Sequence, residues 1–311
     1  MKPAPLHLSL PATSANLGPA FDAAALAFAI SLKLTAQPAR QYSINARGRD
    51  AHICGNLEDH LILTTYREVL ASSQKPEIAL ALKITNNIPI GKGCGSSAAA
   101  RLAGIALAVH YGKLGWSDAQ IVGEASHREH HPDNAAACWF GGLAVARMAS
   151  GSEAEVARIR PKGTWPLLVA IPPEALSTEK ARSVLPQHYS RADAVINIQN
   201  SMLLLAAFMQ QRPELLRNAL RDRIHQPYRA PLCPLLPALE ELDLSSGVLG
   251  VALSGAGPSV LVFLDPKSSP RKAARAIASH LKKHNLEAEL LLTEIAPEGA
   301  VDAWRTRTKR I

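Results

Sequence analysis

Short apolar runs, broken by polar, glycine- and proline-bearing segments, set the first expectations for this chain of 311 residues. Leu6–Leu10 predicts a short strand, Pro11-Ala-Thr-Ser-Ala-Asn16 a turn, and the following apolar stretch runs to Leu34. Ile78–Ile84 (IALALKI) predicts a strand, being short with isoleucine at both ends. A glycine-rich turn follows, and Ser96–Tyr111 predicts a helix whose alanines and leucines occupy more than one face, hence a buried one. Ser117 and Gln120 form a capping box, with Trp116 and Ile121 as a staple, and that helix should end before Pro132.

Further along, the pattern predicts a strand at Leu167–Ile171, a long helix at Asp193–Gln211 and another helix after Pro213. A strand–turn–strand unit at Gly250–Leu264, a helix at Arg271–His284 and a strand near Glu287–Thr293 complete it. Strands and helices intermingle throughout, so the class is mixed, α/β or α+β. The polar Gly-Ser-Glu-Ala-Glu stretch and the Pro-Lys-Gly within Met148–Trp165 suggest a boundary, dividing the chain into 1–160 and 161–311.

Composition narrows the function classes. Hydrophobic residues are 47% and charged residues 19%, ordinary for a globular chain. No apolar run is long enough to predict a membrane span, and Met1–Leu10 lacks the signature of a secretory signal, so the cytoplasm is the expected compartment. Cys54, Cys94, Cys138 and Cys233 show no metal-ligand spacing and read as reduced packing thiols. The net charge of +8 is dispersed, apart from Lys282–Lys283 and a tail at Arg305–Arg310, and aromatic residues are only 5%. That pattern argues against nucleic acid as a partner and for a surface that attracts small anions such as nucleotides.

The strongest chemical signal is Pro89-Ile-Gly-Lys-Gly-Cys-Gly-Ser-Ser-Ala-Ala-Ala100, set between a predicted strand and a predicted helix. Gly91, Gly93 and Gly95 permit positive φ, and successive N–H groups can then converge on an anion together with the helix N-terminus. Ser96 and Ser97 can cap the helix or offer hydroxyls to phosphate or magnesium. No lysine follows Gly95 as a P-loop requires, and the spacing is not that of the dinucleotide fingerprint. A tight strand-to-helix turn would explain three glycines alone, but not the whole G-x-G-x-G-S-S-A-A-A string.

That string resembles the second motif of the GHMP kinases. Pro11–Asp22 resembles the family's first motif in the form found in its homoserine-kinase branch, PATSANLGPGFD, and Gly250–Val260 resembles the third, glycine-rich motif. His131-Pro-Asp-Asn134 with Phe140-Gly-Gly142, Ala181–Pro186 and Asp222–Arg229 match further segments of that branch, and Asn56-Leu57 matches a pair near its adenine pocket. Ala20, Lys92, Cys94 and the Ala135–Trp139 run depart from the family pattern.

The resemblance implies a two-domain α+β fold, with an N-terminal domain holding the phosphate loop and a ferredoxin-like C-terminal domain. It implies an ATP- and Mg2+-dependent transfer of phosphate to the side-chain hydroxyl of L-homoserine, with homodimers common in the family. Pro89, Ile90, Gly91, Lys92, Gly93, Cys94, Gly95, Ser96, Ser97 and Asn56 would then hold ATP. Asp22 would meet the substrate ammonium, Asn16 the ammonium or alcohol, and Arg182 and Arg229 the carboxylate. His131 and Gly255 would complete that pocket. Glu124 with Ser97 is the expected magnesium pair and Glu129 its competitor, since helical periodicity forbids one face for both glutamates. Catalysis would rest on Asn16, Glu124 and Ser97 without a dedicated aspartate base, the role of Asp133 being open. Rival readings are a kinase for another small alcohol and a non-catalytic nucleotide-binding regulator.

Overall fold

The structure, a computed structural model, describes residues 4–149, 153–302 and 304; the basic cluster at 305–310 and part of the polar 151–155 stretch lie outside the described residues. Six strands form the first sheet: β1 (Leu6–Ala15), β2 (Ala24–Pro38), β3 (Ser43–Gly48), β4 (Leu80–Asn86), β5 (Leu143–Met148) and β6 (Ala154–Ile159). Their order is β3-β4-β2-β5-β6, with β1 paired to β2, and only β3–β4 is parallel. One sequence expectation changes here. The segment Pro11–Ala15 is strand, not turn: Pro11 sits at a register shift, where a missing N–H is tolerated, and Thr13 and Ser14 are buried. The turn comes later and starts from Asn16, Leu17 and Gly18, all left-handed at φ 70°, 43° and 75°. Residues 154–159 form β6, which completes a hairpin with β5.

Helices α1 (Ala51–Cys54), α2 (Leu61–Ser72), α3 (Ser96–Gly112), α4 (Asp118–Glu129) and α5 (Asp133–Phe140) accompany this sheet, α3 and α5 packing on β1 and β2. The α3 interior is buried nearly all round, as its apolar faces predict. Ser117 caps α4 reciprocally: Gln120 N donates to its Oγ at 3.2 Å and Ser117 N donates to Gln120 Oε1 at 2.9 Å.

The second sheet contains β7 (Pro166–Ile171), β8 (Val248–Leu253), β9 (Val260–Leu264) and β10 (Glu289–Glu294) in the order β10-β7-β9-β8, all antiparallel. Between β7 and β8 lie α6 (Thr178–Ser183), α7 (Arg191–Gln210), α8 (Leu216–Ala219), α9 (Gln226–Arg229) and α10 (Leu235–Glu240); α11 (Pro270–Lys283) joins β9 to β10. This is the ferredoxin-like arrangement. Strands β7 and β9 are apolar on both faces. Leu168 and Val262 face α10 and α11, while Leu167 and Phe263 join the main core with Phe208 of α7.

Contrary to the sequence expectation, α7 is long and apolar enough to cross a membrane, with a mean hydropathy of 1.3 over its best window. It is docked nonetheless. Leu204, Ala207 and Phe208 enter the core, and Asn197 Nδ2 donates to Pro19 O at 2.8 Å.

The chain leaves the first sheet after Ile159 and enters the second at Pro166, then comes back. Ile295 bridges Phe28, Ala296 N donates to Ala27 O at 2.9 Å, and Gly142 N donates to Ala296 O at 2.8 Å. A segment from the far end of the chain therefore completes the first sheet.

Candidate active site

Strand β4 runs through Pro89 and Ile90 into a loop whose Gly91, Gly93 and Gly95 all have positive φ (70°, 75° and 71°), Gly95 capping α3. Left-handed conformations at every second residue form an amide-lined anion cradle. At two of the three glycines the neighbours leave no room for a side chain: a Cβ on Gly95 would lie 1.9 Å from Thr13 Oγ1, and one on Gly93 2.2 Å from Ser254 O. Thr13 N donates to Cys94 O at 3.1 Å, and Ser254 Oγ donates to Gly93 O at 2.8 Å. The first and third motifs thus clamp the second.

The loop's two unusual side chains face elsewhere. Lys92 Nζ donates to Pro173 O, across in the second half of the chain. Cys94 is buried, and burial pushes its thiol up to about 12. The cradle is therefore made of backbone and of Ser96 and Ser97.

Two cavities meet at Gly91, Ser96 and Ser97. The larger, about 540 Å³, is mostly apolar, lined by Leu32, Ile53, Cys54, Ile62 and Ile90, with Asn56 at its wall. Asn56 Oδ1 accepts Glu58 N at 3.1 Å, which fixes the side chain locally. The smaller, about 120 Å³, is polar and brings together all six residues expected to meet the substrate: Asn16, Asp22, His131, Arg182, Arg229 and Gly255.

Within the small cavity the charged groups already answer one another. Arg182 Nη2 donates to Asp22 Oδ1 at 2.6 Å. Asn16 Nδ2 donates to Gly255 O at 2.8 Å and its Oδ1 accepts Asp22 N at 2.9 Å, so Asn16 braces the turn against the third motif. Arg229 is fully buried; its Nε donates to Ala181 O at 2.9 Å and Nη1 to Gly255 O at 3.3 Å. Burial, with Arg182 adding repulsion, lowers its pKa to about 10, leaving it charged at neutral pH.

Sequence reasoning quoted Phe21 and His225 within motifs without giving either a role. The Phe21 ring lies 5.3 Å from the guanidinium carbons of both Arg182 and Arg229 and is stacked on the His225 ring at 5.2 Å. Burial holds His225 neutral, its pKa down to about 4, and its Nε2 bonds Gly18 O at 2.8 Å. The only available signal was an aromatic residue beside Asp22 in a string rich in small residues.

At the opposite wall, His131 Nδ1 bonds Asp133 Oδ1 at 2.7 Å. Burial opposes a charged ring, but the Asp133 hydrogen bond and the nearby carboxylates outweigh it, so the His131 pKa is raised. Asp133 is 1% exposed, and its Oδ2 has no hydrogen-bond partner among the described residues.

The structure separates the two glutamates. Glu124 turns to Arg128, whose Nε donates to its Oε1 at 2.8 Å, and it lines neither cavity. Glu129 is the residue beside Ser97: Ser97 Oγ and Arg101 Nε each donate to Glu129 Oε1 at 2.6 Å. Hydroxyl and carboxylate oxygens at the edge of an anion cradle are the hard donors a magnesium ion takes.

This fold and paired-cavity site define a GHMP kinase. Residues 60–142 match the family of GHMP kinases N terminal domain, and residues 204–283 that of GHMP kinases C terminal. The crystal structure of homoserine kinase from Cytophaga hutchinsonii superposes with a TM-score of 0.80 at 22% identity, covering 95% of this chain and 96% of that one. Mevalonate kinase from L. major shares the fold at a TM-score of 0.69 and 16% identity, covering 96% of this chain and 98% of that one. Homoserine kinase of Solibacter usitatus is 42% identical over 259 residues, 83% of this chain and 85% of the relative. That of Desulfitobacterium hafniense is 35% identical over 297 residues, 95% of this chain and 99% of the relative. The chain belongs to the homoserine kinase family.

Proposed function

We propose that the protein transfers the γ-phosphoryl group of ATP to the side-chain hydroxyl of L-homoserine, giving O-phospho-L-homoserine and ADP. The observation that carries this reading is the small cavity, which offers both signs of charge and opens onto the glycine loop. A zwitterion with a short hydroxylated side chain matches that pairing of charges.

In this reading the larger cavity takes the nucleoside, with Asn56 at its wall, and the loop amides from Gly91 to Ser97 neutralise the phosphates. Arg229, anchored and dry, receives the substrate carboxylate, and Arg182 joins it as a bidentate partner. Asp22 exchanges part of its pairing with Arg182 for the ammonium. Ser97 and Glu129 would hold magnesium, whose chemistry is to screen charge on the transferring phosphoryl group. Asn16, His131 and Gly255 keep the alcohol in line. Asp133 Oδ2 is a buried acceptor in this cavity without a partner among the described residues, so it is our candidate for the alcohol proton. We assign the nucleotide chiefly to residues 1–160 and the carboxylate clamp to 161–311.

A coupled ADP-release assay with ATP and magnesium tests the reading by comparing L-homoserine with D-homoserine, L-serine, L-threonine and mevalonate. Turnover confined to L-homoserine supports it. Turnover on mevalonate alone would overturn the charge assignments.

A further inference from the structure

A second cavity of about 440 Å³ lies in the C-terminal half and shares no lining residue with the site above. It has an apolar floor from Leu220, Leu236, Leu239, Leu242, Val248 and Val251. Its rim carries Arg217, Arg221 and Arg223, all exposed. None of the three forms an ion pair among the described residues. Arg217 acts on Asp243 at longer range, and Arg221 acts on Glu240, a rim carboxyl whose pKa crowding by neighbouring atoms raises. The other acid, Asp222, is spent internally. Its carboxylate accepts the backbone amides of Ile224, His225 and Gln226 at 2.9, 2.7 and 2.6 Å. Three arginines and one carboxylate, none in an ion pair among the described residues, thus line a cavity with an apolar floor.

From this we infer that the cavity binds an organic anion, a carboxylate or phosphate on an apolar body, and that its occupancy is read at the active site through α9. Guanidinium forks match carboxylate and phosphate oxygens, while the leucine and valine floor takes the body. The coupling element is short and shared. Gln226, Pro227 and Ala230 line this cavity, whereas Arg229, one residue from Ala230, lines the substrate cavity. Gln226 Oε1 also accepts Leu253 N at 2.7 Å, two residues before Gly255, whose carbonyl takes bonds from Asn16 and Arg229. A ligand that shifts α9 by a fraction of an ångström shifts the carboxylate clamp with it.

The test uses the full chain, saturated with β,γ-imido-ATP so that the glycine loop is blocked. Calorimetric titration compares phenyl phosphate, 3-phenylpropionate and benzyl alcohol. One or both anions should bind one to one, at least about tenfold tighter than the alcohol, and whichever binds tells a phosphorylated ligand from a carboxylate. The triple variant Arg217→Gln/Arg221→Gln/Arg223→Gln, its fold checked by circular dichroism, should lose about tenfold or more in that affinity. The bound anion should also change KM for L-homoserine at least about twofold without competing with it. Equal affinity for benzyl alcohol, full affinity in the triple variant, competition with L-homoserine, or an unchanged KM at saturation would each overturn the proposal. The titration needs no turnover, whereas the kinetic arm rests on the homoserine reading. A protein that binds the anions but phosphorylates no homoserine would fail the earlier reading and leave this binding site standing.

Discussion

The phosphate cradle and the charged cavity beside it share a wall but are built by different means. The cradle is local, a stretch of seven residues, Gly91 to Ser97, whose backbone does the binding and whose Lys92 and Cys94 side chains turn away. The charged cavity is assembled from five distant segments, around residues 16–22, 131–133, 182, 229 and 255, and works mainly through side chains that touch one another first. A backbone site fails when space is taken from it. A side-chain site fails when one partner is removed, because a buried group such as Arg229 then loses its counter-charge.

The sharpest break between the two regions lies at their junction. Glu129→Gln should lower kcat by about a hundredfold or more, while Glu124→Gln stays within about twofold, measured at saturating ATP and magnesium. Equal losses would return Glu124 to the magnesium role. Within the cradle, Gly95→Ala forces a Cβ against Thr13 Oγ1 in a left-handed backbone. It should raise KM for ATP by about tenfold or more and destabilise the fold by about 1–3 kcal/mol in urea titration. Within the cavity, Arg229→Lys should raise KM for L-homoserine by about tenfold or more and leave KM for ATP alone, and Arg182→Lys should do so less. A rise in both constants for Arg229→Lys would dissolve the division of labour.

The smallest effects should come from pH, and they have opposite signs at the two histidines. The His225 pKa falls to about 4 on folding, so the unfolded chain binds more protons between about 4 and 6.5. Wild type should therefore lose stability relative to His225→Asn as the pH drops through that window. The His131 pKa is raised, so its contribution is full below about 6.5 and disappears as the pH rises through the folded value. Relative to His131→Asn, wild type should lose ground on going from mildly acid to mildly alkaline buffer, read from unfolding midpoints.

The same contrast governs what could be read in advance. The glycine alternation, the α4 capping box and the strand and helix order of the ferredoxin-like half depend on nearest neighbours, and the sequence pattern carries them. Pro11–Ala15 misled because proline, threonine and serine signal a turn locally, while pairing to β2 across the sheet overrides that preference. Glu124 and Glu129 are five residues apart on one helix, and which of them meets Ser97 depends on how α4 is rotated against α3. The Phe21 stack with Arg182, Arg229 and His225 needs three far segments in register, which no local window contains.

The return of the chain to its first sheet has a mechanical consequence. The two halves are joined by two covalent crossings, one between Ile159 and Pro166 and one at Glu294–Ile295. A single linker would let one half swing in any direction. Two crossings tie the halves together, and Leu167, Phe208 and Phe263 of the second half pack in the same core as the first sheet. A proteolytic nick at one crossing would therefore leave the halves held by the other crossing and by that shared core.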